Sequence, residues 1–218
     1  MVAVSSTSPA MPPLGFRGVH ETVVKKSRFI ATVARVDGQA EARAVVAEVR
    51  RAYPDARHHC VAWSVETNGV ATSHSSDDGE PAGTAGVPML KVLLQAGLVN
   101  IAVVVTRYFG GIKLGASGLT RAYGGAVSAA IGTMPLVARQ VQGLWELDVP
   151  MAQAAKVAGD LRRAGAVIIE QTYDADSARL VFRHEDDPAN LVAQATQGTC
   201  QAHCLGTATV EVALPAPG

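Results

Sequence analysis

The sequence predicts a mixed α+β chain of two domains, and three observations predict it. Its 218 residues, 48% of them apolar, suffice for two cores of ordinary size. Strand-like and helix-like periods alternate along the whole length. The pattern breaks once, between Thr133 and Arg139, with Pro135 inside the break. The expected divisions are a loose tail over residues 1–15, a first domain over 16–135 and a second over 136–214.

The tail reading rests on MVAVSSTSPAMPPLG, rich in Ser, Pro and Thr, and APAPG at the other end reads the same way. FRGVHETVV and RFIATVARV are rich in β-branched residues and read as strands, joined by a basic turn from Lys25 to Arg28. QAEARAVVAEVRRAY follows Asp37 and Gly38. It places Ala42, Val45, Val46 and Val49 at helical spacing, and Pro54 stops it because its ring cannot continue the hydrogen bonding. HHCVAWSVE reads as a strand, TNGVATSHSSDDGEPAG as a polar loop, and a helix is expected from about Thr84 to Gln95. VNIAVVVTRYF is almost wholly apolar at its centre, as a strand covered on both faces must be. The loop GGIKLGAS then feeds a helix, GLTRAYGGAVSAAIG, whose small residues allow close packing on a sheet.

In the second half QVQGLWELDVP reads as a strand and MAQAAKVAGDLRRAG as a helix closed by Gly165. AVIIEQTYD and SARLVFRHE form a hairpin around Ala175 and Asp176. DPANLVAQATQG is a helix with Asp187 as N-cap and Pro188 at its first position, and LGTATVEVAL is a last strand. The order β-α-β-β-α-β is that of a ferredoxin-like split βαβ unit.

Bulk properties exclude some function classes. No apolar run approaches the roughly 18–20 residues of a membrane span, and the start lacks the basic and apolar regions of a signal peptide. Three cysteines, Cys60, Cys200 and Cys204, are too few and odd for a disulfide framework, so a cytoplasmic location is expected. Net charge is zero, yet residues 1–135 carry 13 Lys/Arg against 9 Asp/Glu and residues 136–218 carry 6 against 10. An anionic partner is therefore expected on the first domain.

The densest chemistry lies in TRYFGGIKLGASGLTRAYGG. Gly110, Gly111, Gly115 and Gly118 permit sharp turns and close approach, and Arg107, Lys113 and Arg121 surround a helix start with positive charge. That combination suits a phosphate or other anion, although the Gly-Lys-Ser/Thr of a Walker A loop is missing. It equally suits a tight strand-to-helix turn with solvated basic residues. Tyr108 and Phe109 border the loop, where bases could stack on them. Upstream, Asp77, Asp78 and Glu80 have four readings: ligands of a divalent cation, a carboxylate pair for acid–base work, caps of the next helix, or partners of Arg107, Lys113 and Arg121. Cys200-x-x-His203-Cys204 resembles part of a zinc site but lacks a local fourth ligand. A cysteine nucleophile at Cys60 or Cys204 would need a histidine beside it in space.

KKSRFIA (25–31), ARHHCVAW (56–63), SDDGEPAGTAGVPML (76–90), VVVTRYFGGIKLG (103–115) and GLTRAYGG (118–125) together resemble the IMPACT/YigZ family, in its bacterial branch. The resemblance implies a first domain folded like domain 2 of ribosomal protein S5 and a second like domain V of elongation factor G. It places the signature on His58, Asp77, Asp78, Glu80, Gly83, Thr84, Gly86, Arg107, Tyr108, Gly110, Gly111, Lys113, Gly115, Gly118 and Arg121, with Ala116 and Ser117 departing from a fuller glycine pattern. Eukaryotic members regulate translation initiation by competing for the activator of an initiation-factor kinase, a system bacteria lack. The resemblance thus implies a non-enzymatic binding protein around translation, with RNA, the ribosome or a translation-related protein as partner, no cofactor, no metal and no membrane. The alternatives are an enzyme acting on a phosphorylated or nucleotide ligand, its catalytic residues unassigned, and a pure protein-interaction module.

Overall fold

The computed structural model describes residues 8–215. The tail expectations at residues 1–7 and 216–218 lie outside them. The chain divides into two compact units, one over Arg139–Glu211 and the other over the rest of the described chain.

The first unit opens with β1 (Ala10–Met11). Its main sheet holds β2 (Arg17–Val24), β3 (Ser27–Arg35), β4 (His58–Thr67), β5 (Val70–Ser76) and β6 (Ile101–Tyr108), in the order β2-β3-β6-β4-β5 with every neighbouring pair antiparallel. Helix α1 (Gln39–Ala52) covers one face, setting Ala42, Val45 and Val49 against Val61, Trp63 and Val104. Helices α2 (Gly86–Gln95) and α3 (Gly115–Gly132) cover the other, setting Met89, Leu93, Tyr123 and Val127 against Phe29, Cys60, Val103 and Val105. Central β6 is thus enclosed on both faces, which is why its sequence is continuously apolar rather than alternating. Each large side chain fully buried there contributes roughly 1.5–3 kcal/mol.

Three expectations are corrected here. Residues 10–12 are built into the unit rather than loose. Ala10 and Met11 pair with Ala138 and Val137, Met11 is 1% exposed, and Arg35 donates from Nη1 to the Pro12 carbonyl at 2.6 Å. Burial of one methionine, a strand pairing and an arginine contact outweigh the local preference of Ser, Pro and Thr for open chain. The polar loop after β4 contains edge strand β5, turned by Asn68 and Gly69 at φ 53° and 77°. Its residues are exposed through most of their length, so no apolar alternation marked it, although Asn-Gly is a strong hairpin signal. Helix α3 starts at Gly115, so Ala116 and Ser117 lie in its first turn and not in the loop.

The second unit takes its elements from β7 (Val137–Pro150), α4 (Met151–Arg163), β8 (Val167–Tyr173), β9 (Ser177–His184), α5 (Ala189–Thr196) and β10 (His203–Ala213). The strand order is β10-β7-β9-β8. Both helices pack on the sheet through Val157, Leu161 and Val192 against Leu147, Leu180 and Phe182. Gly165 closes α4 at φ 92°. Asp187 accepts the backbone N–H of Ala189 at 2.9 Å, while the cap position itself falls on Pro188, one residue later than expected.

Candidate functional site

The acidic segment resolves into three carboxylates with separate partners. The turn before α2 passes through left-handed conformations at Asp78 and Gly79 (φ 43° and 84°), which sends successive side chains in different directions. Asp77 accepts backbone N–H groups from Gly83, Ala85 and Gly86 at 2.8–2.9 Å, the unpaired donors at the start of α2. Burial pushes its pKa up, but the three donors outweigh burial and hold it below the ordinary carboxylate value. Asp78 accepts the backbone N–H of His59 at 2.6 Å and pairs with Arg50 at 2.5 Å. Its carbonyl lies 2.9 Å from His58 Nδ1, so that nitrogen carries the proton. Glu80 is buried and accepts from Arg107 Nη1 at 2.6 Å and from the Tyr123 hydroxyl at 2.8 Å. Thr84 donates to the Pro81 carbonyl.

Among the described residues, no group of three or more His, Cys, Asp or Glu is arranged to hold a metal. Its three backbone N–H donors make Asp77 the cap of a helix. Of the pairings with the basic loop, Glu80 with Arg107 forms, and Lys113 and Arg121 make no ion pair among the described residues. At Cys60 the surroundings oppose the nucleophile reading. Burial, against an opposing hydrogen bond from Tyr123, pushes the Cys60 thiol up to about 12, so it holds no thiolate at neutral pH. Burial also lowers the pKa of neighbouring His59, whose Nδ1 is engaged by the Thr106 hydroxyl at 3.1 Å.

The basic loop is built on two close contacts. Gly110 packs on the turn between β2 and β3, where Lys25 and Lys26 both adopt positive φ (45° and 65°). A Cβ at Gly110 would lie 2.0 Å from the backbone carbonyl of Lys26. The Gly110 N–H donates to the buried Ser27 hydroxyl at 3.1 Å, and Gly111 completes the turn at φ 85°. Sequence reasoning places Lys25 and Lys26 in a separate basic turn. The fold brings that turn against the glycine loop.

A cleft of about 610 Å³ opens beside this loop. Of the residues singled out from sequence, it is lined by His58, Glu80, Arg107, Tyr108, Lys113 and Gly115, with Phe109 and Ala116. Asp77, Asp78, Thr84, Gly110, Gly111, Gly118 and Arg121 do not line it. Arg121 is exposed on α3. Asp55 and Arg57, from the segment between α1 and β4, line the cleft without having been singled out, although Arg57 stands beside His58 in the ARHHCVAW run. Arg57 and Lys113 are exposed and make no ion pair among the described residues. Tyr108 is engaged by the protein: its hydroxyl donates to Asp55 at 2.8 Å and the Arg28 guanidinium lies 5.4 Å from its ring centre. Phe109 is the open aromatic, 59% exposed.

Fold and cleft define the class first: a two-unit α/β protein of antiparallel sheets, with a cationic and aromatic cleft at the end of the central strand of one unit. The chain belongs to the IMPACT family. The Impact N-terminal domain matches residues 25–131. IMPACT family member YvyE of Bacillus subtilis is 40% identical over 156 residues, 72% of this chain and 71% of that protein. IMPACT family member YigZ of Escherichia coli is 42% identical over 153 residues, 70% of this chain and 75% of that protein. A crystal structure of a hypothetical protein, 35% identical, aligns with a TM-score of 0.58 over 91% of this chain and 98% of its own. No helix among the described residues is long and apolar enough to cross a membrane.

Proposed function

We propose that the chain is a non-enzymatic binding protein associated with translation or its regulation, and that the cleft of the first unit takes RNA. The observation that carries this reading is the placing of two cations with no ion pair among the described residues, Arg57 and Lys113, around a cleft that also presents exposed Phe109. Phosphates seek the first and an unstacked base the second. The resemblance to eukaryotic IMPACT proteins supports the translational setting, and a cytoplasmic location belongs to the same proposal. So do the finer fold assignments, an S5 domain 2-like first unit and a ferredoxin-like second unit, the latter supported by the order β10-β7-β9-β8.

The concave shape favours a second reading, an enzyme acting on a phosphorylated or nucleotide ligand. It ranks lower because Glu80, the buried carboxylate of the cleft, is occupied by Arg107 and Tyr123. RNA pull-down and ribosome co-sedimentation at two salt concentrations test the leading proposal. The expected outcome is salt-sensitive retention whose log–log slope shrinks by about 0.7 in Lys113→Ala, the loss of a single-strand phosphate contact. An unchanged slope in a folded Arg57→Ala, Lys113→Ala double variant would point to a protein-interaction module instead.

A further inference from the structure

Arg107 holds a cation where cations are costly. Its side chain is 9% exposed, and Glu80 accepts from Nη1 alone. Nε is buried with no hydrogen-bond partner, and Nη2 makes no hydrogen bond among the described residues. The Nε–H and Nη2–H of a guanidinium point the same way and form a fork that fits two oxygens of one oxyanion. The fold has therefore buried Nε without a hydrogen-bond partner in a side chain that lines the cleft, with the guanidinium 5.5 Å and 5.8 Å from the ring centres of Phe29 and Phe109.

We propose that the cleft recognises a terminal phosphate monoester, with the Arg107 fork as its anchor. This deepens the RNA reading and rests on it only for the polymer form of the ligand, since a strand end and a free nucleotide share the chemistry. An internal phosphodiester carries a sugar on each side and offers only two free oxygens between them. A monoester presents three free oxygens at the end of a single stem. Arg57 and Lys113, both exposed, supply charge at the cleft mouth. Gly115 and Ala116 bring the start of α3, which has no side-chain cap and no acidic residue in its first turn. A volume of about 610 Å³ accommodates a nucleotide-sized group, and exposed Phe109 offers a face to its base. Glu80 is a positioning residue, holding Nη1 so that the opposite edge stays presented.

The test is calorimetric titration of the full chain with short single-stranded RNAs of one sequence, ending in a 5′-phosphate, a 3′-phosphate or hydroxyls only. AMP, adenosine and an acidic peptide complete the set. At least one phosphorylated end is expected to bind about tenfold or more tightly than the hydroxyl-ended strand, and AMP to bind where adenosine does not. Lys113→Ala should reduce that preference, and Arg107→Lys, which keeps a cation for Glu80 but removes the fork, should abolish it. Should Arg107→Lys fail to fold, the comparison of ends on the unaltered protein still decides. AMP binding without RNA binding supports this inference through a free nucleotide and sinks the RNA reading. Equal binding of phosphorylated and hydroxyl-ended strands overturns this inference and leaves the RNA reading standing. Binding of the acidic peptide alone, or of none of these ligands, overturns both.

Discussion

Replacing Gly110 with alanine tests whether the glycine loop is a packed joint or a free turn. The added Cβ would lie 2.0 Å from both C and O of Lys26 and 2.4 Å from the nitrogen of Ser27. Carbon contacts settle near 3.5–4.0 Å, so the loop and the turn between β2 and β3 must separate by about 1.5 Å. Neither side yields cheaply, because all three clashing atoms are backbone and Lys25 and Lys26 already hold left-handed conformations. The separation also removes the hydrogen bond from Gly110 N–H to Ser27 Oγ. Overpacking costs about 1–3 kcal/mol and the lost bond about 1 kcal/mol, so the expected destabilisation is about 2–4 kcal/mol. Gly125→Ala is the control, since its Cβ meets nothing within 4 Å and it sits inside α3. That change is expected to stabilise by about 0.5–1 kcal/mol. Urea unfolding, read as a shift in midpoint with unchanged slope, measures both. Equal midpoints for the two variants would refute the packed joint and with it the claim that the fold fixes the loop bearing Phe109 and Lys113.

Two further outcomes follow from the titrating groups. Because Asp77 has a lowered pKa in the folded chain, its contribution is present above the ordinary carboxylate value of 3.8 and is lost as pH falls through the folded value. Asp77→Asn should therefore cost about 1–3 kcal/mol at neutral pH, a gap that narrows below pH 3.8; urea unfolding at several pH values checks this, and a gap independent of pH would show that charge plays no part in the cap. Cys60, buried and with its thiol pushed up to about 12, should resist a thiol reagent at pH 8 until the chain is unfolded, whereas exposed Cys204 reacts at once. Peptide mapping by mass spectrometry distinguishes the two, and early labelling at Cys60 would contradict its burial.

Much of the fold was legible because burial leaves a period in the sequence. Val45 and Val49 recur at helical spacing on α1, and the unbroken apolar run of β6 marks a strand enclosed on both faces. Strand β5 escaped because it lies at a sheet edge with little buried on either face, so its composition matches that of a loop. The ordering of residues 10–12 escaped for a related reason. It depends on pairing with residues 137 and 138 and on a hydrogen bond from Arg35, contacts between distant parts of the chain that no local pattern encodes. The cleft was half legible. Its glycines and basic residues cluster visibly in sequence, but direction does not: Arg107 points into a buried ion pair, Lys113 to the cleft mouth and Arg121 away from the cleft.

Side-chain direction also shows how the acidic segment from Asp77 to Glu80 frames the first unit. Within one turn, Asp77 ties down the start of α2, Asp78 holds β4 through His59 N–H and α1 through Arg50, and Glu80 joins Arg107 of β6 to Tyr123 of α3. Gly110 adds the joint to the turn between β2 and β3. Such residues tolerate little change because each meets several elements at once. Fewer internal obligations fall on Arg57 and Lys113, which are exposed and make no ion pair among the described residues, and on exposed Phe109. Arg57 stands beside His58 and Phe109 beside Tyr108, so the exposed groups of the cleft are the sequence neighbours of engaged ones.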